Sequence, residues 1–293
     1  MRLFIGLAIL LTLASSAALP VHAAGGKIAV VAAENFYGDV ARQIGGNHVA
    51  VTSILSNPDA DPHLFETSPS TVRQIAAAQI VIYNGADYDP WMAKALAASP
   101  AASRAVIVAA DLVYKKPGDN PHIWYDPPTM PAVATALAAA LGTADPAHKD
   151  DYAARLKTFL ASLAPLNEKI AALRAKYAGS PVTATEPVFG YMAAALGLKM
   201  HDEDFQRAVM NDTEPSPHEF AHFESALKSR AVRLLFYNKQ ASDNLVQHLL
   251  DIARTARIPV VGVTETEPSG QPYQAWMMSE LDATAAALAG PAS

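Results

Sequence analysis

Four ionisable residues stand where an open α/β sheet does its chemistry. In such sheets ligands bind beyond the carboxyl ends of the strands. His63 follows the β-rich run 48–55 across the turn-forming Ser56-Asn57-Pro58-Asp59-Ala60-Asp61-Pro62. His122 lies in the loop after the run 104–108, within Asn120-Pro121-His122-Ile123-Trp124. Glu186 directly ends the run 181–185, and Glu265 ends the run 258–264. Two neutral imidazoles and two carboxylates that converge make a site for a dication, with the carboxylates cancelling its charge. Either histidine taken singly, beside a proline in a loop, reads as a surface residue. The argument for convergence is that both recur at equivalent topological positions, as do the two carboxylates.

Rivals exist for two of the four. Glu267 lies two residues beyond Glu265 and shares its face if the strand continues. Asp202 competes with Glu186, but its acidic run His201-Asp202-Glu203-Asp204 reads as a solvated loop. Trp124 and Tyr191 would wall the site, or simply fill core. Asn238 and Gln240, just past the run 233–237, face the same cleft as possible hydrogen-bond donors, although a surface loop is the simpler reading. Asp89-Pro90-Trp91 reads as a helix start. His218-Glu219-Phe220-Ala221-His222 matches the H-E-x-x-H pattern of zinc peptidases, the strongest hint of an enzyme. Its context argues against one: Ser216 reads as an N-cap with Pro217 at the first helical position, and no third ligand follows at a recognisable spacing. His48, His148, His201 and His248 invite no function. No phosphate cradle, Walker sequence or serine nucleophile elbow is present.

The elements that must position these residues have the rhythm of parallel sheets. Strands are expected at 28–32, 48–55, 79–83 and 104–108, with helices centred on Val40, Val72, Ala93 and Ala136. The rhythm resumes with strands at 181–185, 233–237 and 258–264 and helices centred on Ala194, Phe223 and Leu249. Between the two series, a helical stretch opens at Asp145-Pro146 and ends at Gly179-Ser180-Pro181. Its large apolar residues, Tyr152, Leu156, Phe159, Leu163, Leu166, Ile170, Leu173 and Tyr177, alternate spacings of four and three, which predicts one narrow buried stripe. A coiled-coil dimer would use the same stripe, but the stretch joins two α/β lobes and carries Pro165, which should kink it. The expected fold is therefore α/β: two parallel-sheet lobes, 24–142 and 179–293, joined by a long helix over 143–178, with a cleft between the lobes. Such a helix would span about 50 Å and restrict hinge motion.

Residues 1–23 read as a cleaved secretory signal, with Arg2, an apolar core from Leu3 to Leu13, and Val21-His22-Ala23 before the cut. No later run reaches the length of a membrane span, so the mature chain is expected to be exported, periplasmic and not inserted in a membrane. The 293 residues carry a formal net charge of −6 and no cysteine. The negative charge argues against nucleic-acid partners, and any metal must be held by His and carboxylates.

Several segments carry a family resemblance. Asp61-Pro62-His63-Leu64-Phe65-Glu66, Asn84-Gly85-Ala86-Asp87-Tyr88-Asp89-Pro90-Trp91, Pro121-His122-Ile123-Trp124-Tyr125-Asp126-Pro127 and Phe189-Gly190-Tyr191 resemble the zinc- and manganese-specific solute-binding proteins of ABC importers. With the inter-lobe helix and the stretch from Tyr273 to Met278, the similarity covers essentially the whole mature chain. The resemblance implies a monomeric, non-enzymatic receptor that holds one divalent metal ion by one ligand from each of four loops, here His63, His122, Glu186 and Glu265, and passes it to a membrane permease. The family often has His at the third position and Asp at the fourth; this chain has Glu at both. Glu at the third position resembles the manganese-binding branch, and oxygen-rich ligation favours that harder ion, although the Irving–Williams order ranks zinc higher. The absence of a His-rich loop points the same way, so Mn2+ is preferred and Zn2+ comes next. The family's Asp two residues before the second His is Asn120 here, which leaves a charge-based supporting role open. A zinc metallopeptidase using residues 218–222, and a metal-binding surface adhesin of the same fold, are the alternatives.

Overall fold

A computed structural model describes residues 26–57, 65–211, 213–241 and 243–290. The expected signal segment, 1–23, and His63 lie outside the described residues. The first lobe is built from β1 (Ile28–Glu34), α1 (Asn35–Gly45), β2 (Val49–Leu55), α2 (Pro69–Ala77), β3 (Ile80–Tyr83), α3 (Pro90–Ala98), β4 (Ala105–Val108), α4 (Ala109–Leu112) and α5 (Thr129–Ala144). Two connecting helices follow, α6 (Lys149–Ser162) and α7 (Ala164–Tyr177). The second lobe contains β5 (Pro181–Ala184), α8 (Gly190–Ala195), β6 (Lys199–His201), α9 (Glu203–Met210), α10 (Pro217–Lys228), β7 (Leu235–Asn238), α11 (Asn244–Thr255), β8 (Val260–Val263) and α12 (Tyr273–Ala289).

Each lobe holds a four-stranded, wholly parallel sheet, in the orders β2-β1-β3-β4 and β6-β5-β7-β8. The topology is therefore the same twice over. Central strands such as Ile80-Val81-Ile82 are fully buried because helices cover both faces, which is why they read as unbroken apolar runs. In both orders the direction of strand addition reverses beside the first strand, so β1/β3 and β5/β7 each open a crevice at their carboxyl ends.

The connection expected as one long helix runs as two, parted at Leu163. Pro165 sits in the first turn of α7 and has no N–H to continue the α6 ladder, which explains the break where the kink was expected. The whole stripe from Tyr152 to Tyr177 packs into the chain's own core, with Leu156 and Ile170 at its margin. That core is continuous: it joins β1 and β3, Trp124 and Tyr125, the α6–α7 stripe, β5, β7, β8 and α12. Four of these elements were not expected: α4, β6, α9 and α12. β6 has only three residues, Lys199-Met200-His201, too few to show a period. α9 replaces the expected solvated loop, with Asp202 in a left-handed conformation at φ 59° as its N-cap.

Candidate metal centre

The chemistry gathers at the carboxyl ends of the strands, where the lobes meet. His122 lies beyond β4 and precedes the 3-10 turn Ile123–Tyr125, fully buried. Its Nδ1 is 2.7 Å from Asn120 Oδ1, which also accepts the His122 backbone N–H at 3.1 Å. The other end of the Asn120 amide donates to Pro187 O at 2.7 Å, so its oxygen must face the imidazole. A donating Nδ1–H leaves Nε2 as the nitrogen that carries the ring's lone pair, and that atom lies 3.4 Å from Glu265 Oε2. Asn120 thus orients the ring without a charge, and bridges to the loop that carries Glu186.

Glu186 follows β5 and Glu265 follows β8; both are buried. A single amide nitrogen links them: Asn238 Nδ2, at the end of β7, donates to Glu186 Oε2 at 3.2 Å and to Glu265 Oε1 at 2.6 Å. Asn238 is itself 1% exposed, so the surface-loop reading of this residue is corrected. Its own oxygen accepts the Gln240 N–H at 2.9 Å, and Gln240 Oε1 accepts the backbone N–H groups of Glu265 at 2.6 Å and Thr266 at 3.1 Å. The first lobe reaches the same carboxylate through Tyr88, whose hydroxyl donates to Glu265 Oε2 at 2.9 Å. Burial, and then the Glu265 charge, hold the Tyr88 hydroxyl well above its usual range, so it remains a donor.

Tyr88 is presented by an unusual turn. Gly85, Ala86 and Asp87 all have positive φ, at 76°, 50° and 64°. Asp89 pins the turn by accepting the N–H groups of Asn84 at 2.6 Å and Gly85 at 2.8 Å. Asn84 in turn donates to Pro121 O at 2.8 Å, fixing the residue before His122. A side chain at Gly85 would press on Val108 Cγ1, so both its φ and its neighbour require glycine. Trp124 lies edge-on to Tyr88 and His122 at 4.9 and 5.2 Å between ring centroids, walling the site. Tyr191 instead donates to Asn120 O at 2.8 Å.

The rivals go elsewhere. Glu267 exchanges two backbone hydrogen bonds with the Asn35 side chain of α1, at 2.7 and 2.9 Å, and burial pushes its carboxyl up to about 9. Asp202 is not solvated: its side chain is 2% exposed, and it accepts from Thr183 Oγ1 at 3.0 Å and pairs with His222 Nδ1 at 2.6 Å. In the H-E-x-x-H segment, Glu219 is occupied as a capping-box partner, accepting the Ser216 N–H at 2.7 Å. Its role is to begin α10, and His222 is paired with Asp202. Sequence reasoning gave no role to Tyr88, Asn84 or Asn35; all three follow or end predicted strands of the first lobe, a position that marks candidates without saying which way a side chain turns.

Comparison with known proteins adds a family. The model described as zinc-uptake complex component A, periplasmic, matches residues 30–287. The manganese ABC transporter substrate-binding lipoprotein PsaA of Streptococcus mitis is 24% identical over 288 residues, covering 91% of each chain. The iron-binding protein YfeA of Yersinia pestis is 23% identical over 227 residues, covering 74% of this chain and 71% of that one. Among solved structures, the periplasmic zinc-binding protein TroA from Treponema pallidum matches with a TM-score of 0.73 at 19% identity, covering 90% of this chain and 99% of the other.

Proposed function

Because the chain belongs to the family of periplasmic zinc-uptake components, it is a substrate-binding protein of metal transport and not an enzyme, and we propose that it captures one divalent transition-metal ion between its lobes for delivery to the permease of an ABC importer. The ligands in this reading are His63, His122, Glu186 and Glu265. The observation that carries it is the meeting of His122 Nε2 and Glu265 Oε2 at 3.4 Å, both buried, with Glu186 on the same Asn238 amide. Buried carboxylates beside a neutral imidazole are costly without a cation to balance them, and they suit a dication. His63 belongs to the set by the sequence resemblance; of the chain on either side of it, β2 ends beside Glu34 of β1, and Phe65 packs on Trp91 at 4.8 Å.

Manganese is the proposed cargo, with zinc next. Two carboxylates among four ligands favour the harder ion, although raw affinity follows the opposite order. Relatives named for manganese and for iron fit a site that zinc does not monopolise. The chain acts as an exported monomer in the periplasm, its signal removed. Among the described residues no helix is long and apolar enough to cross a membrane. The two lobes hold one ligand pair each, so the bound ion stabilises the arrangement that a docked permease reads.

Elemental analysis of protein purified without chelator, followed by competition between Mn2+ and Zn2+ read by thermal shift, tests the proposal. One equivalent of metal, lost in His63→Ala, is the expected result. Zinc retained against excess manganese overturns the choice of ion, and metal retained by His63→Ala, Glu186→Gln and Glu265→Gln alike overturns the site.

A further inference from the structure

A second cluster of metal-ligating side chains lies at the opposite end of the first lobe. His48 closes the 3-10 turn Gly46–His48 before β2, and Asp145 and His148 flank the 3-10 turn Pro146–His148 between α5 and α6. One ligand atom from each of the three residues lies within 4.8 Å of the others. The two imidazoles face each other with ring centroids 3.9 Å apart and planes 30° from parallel. Asp145 Oδ2 meets His148 Nδ1 at 2.6 Å and accepts the Tyr152 hydroxyl at 2.9 Å. Asp151, in the first turn of α6, sits 3.5 Å from His48 Nε2 with its side chain 61% exposed.

We propose that His48, Asp145 and His148 form a second site for a borderline divalent cation of the Zn2+ class, with Asp151 within a side-chain rotation of becoming the fourth ligand. Two imidazoles and a carboxylate are a common zinc donor set, and zinc–nitrogen bonds of about 2.0–2.1 Å place tetrahedral ligand atoms about 3.3 Å apart. The three atoms need only small movements to reach that spacing. The site is partly exposed and open to solvent, so an ion has a direct entry path. Arg155, packed over Gly46, adds positive charge nearby and favours an affinity below that of the cleft.

The site is independent of the cleft. His48 stands at the amino end of the seven-residue β2, whereas the cleft lies beyond the carboxyl ends; a strand of that length spans about 23 Å. An ion held there ties the start of β2 to the α5–α6 turn and stabilises the native lobe by mass action.

The test titrates Zn2+ alone into chelator-stripped full-length protein, with stoichiometry from equilibrium dialysis and affinity from a competing indicator. Wild type is expected to bind two equivalents, and Glu265→Gln to keep the weaker one. His148→Ala and His48→Gln should weaken that equivalent at least about tenfold and leave the tighter one in place. His148 is exposed, so its substitution leaves the fold intact, which circular dichroism verifies. A single equivalent in wild type, or a second equivalent unchanged in both histidine variants, overturns the proposal. Should Glu265→Gln retain both equivalents while His148→Ala loses one, the cleft assignment fails and this site stands.

Discussion

Asn238→Ala is the sharpest test of how the cleft is organised. Both hydrogens of the Asn238 amide are committed, to Glu186 at 3.2 Å and to Glu265 at 2.6 Å, while its oxygen holds Gln240. Truncation has two opposed effects. It removes donors that offset the mutual repulsion of the carboxylates, which by itself favours cation binding. It also frees each carboxylate to rotate and loosens Gln240, which grips the Glu265 and Thr266 backbone N–H groups. Geometry prevails, because a cation needs a particular oxygen from each group at bonding distance at once. Losing such supporting contacts typically weakens metal binding about 10- to 100-fold, or about 1.4–2.7 kcal/mol. Competition for Mn2+ against a fluorescent chelator at neutral pH measures it, with Gln240→Ala as a companion that removes only the backbone grip and should lose less. An Asn238→Ala protein that folds normally and binds within twofold of wild type would refute the reasoning.

Glu267→Gln should leave Mn2+ affinity within about twofold, whereas Glu265→Gln should lose at least about 100-fold, since only the latter opens a coordination position; the same competition assay reads both. Glu280, 5% exposed on α12 and accepting from Trp276 Nε1, is pushed up to about 7 by burial. A carboxyl raised in the folded state costs nothing below its unfolded value and costs progressively more as pH rises from about 4.5 to 7. Glu280→Gln should therefore stabilise the protein at pH 8 by up to about 3 kcal/mol and change little at pH 4.5, by denaturant titration. Ser216→Ala removes the N-cap of α10 and should cost about 1 kcal/mol in the same titration, without altering metal binding. Small-angle scattering with and without Mn2+ should give superimposable profiles; a change of several ångströms in radius of gyration would show lobe rotation that the continuous core argues against.

The sheets were legible because their strands are short apolar runs between helical periods, and three of the four proposed ligands come together in the described residues. What escaped the sequence was polar and local. Asn238 looked like a surface residue because a single amide beyond a strand carries no sign of direction, yet the β7–β8 register turns it inward between two acids. Asp202 was hidden by composition: four polar residues in a row read as solvent, but a left-handed turn buries the second against Thr183 and His222. His48 and His148 lie a hundred residues apart, on a strand end and a helix turn, and no one-dimensional pattern joins them. Glu219 shows the converse, a recognisable motif whose central acid serves backbone capping.

The proposed ligands are held by the contacts that hold the lobes together. Tyr88 of the first lobe grips Glu265 of the second, Asn120 beside His122 grips Pro187 beside Glu186, and Asn35 grips the backbone of Glu267. Tyr125 donates to Thr264 O, one residue before Glu265, and Tyr273 to the carbonyl of Trp124, the tryptophan that walls the site, each at 2.8 Å. Swinging the lobes apart would break all of these together and expose the apolar core that runs unbroken beneath them. Each buried hydrogen bond left unmade costs about 1–3 kcal/mol, so opening the lobes as rigid bodies is expensive. In the proposed reading, His122, Glu186 and Glu265 are therefore held at the same seam that these contacts close.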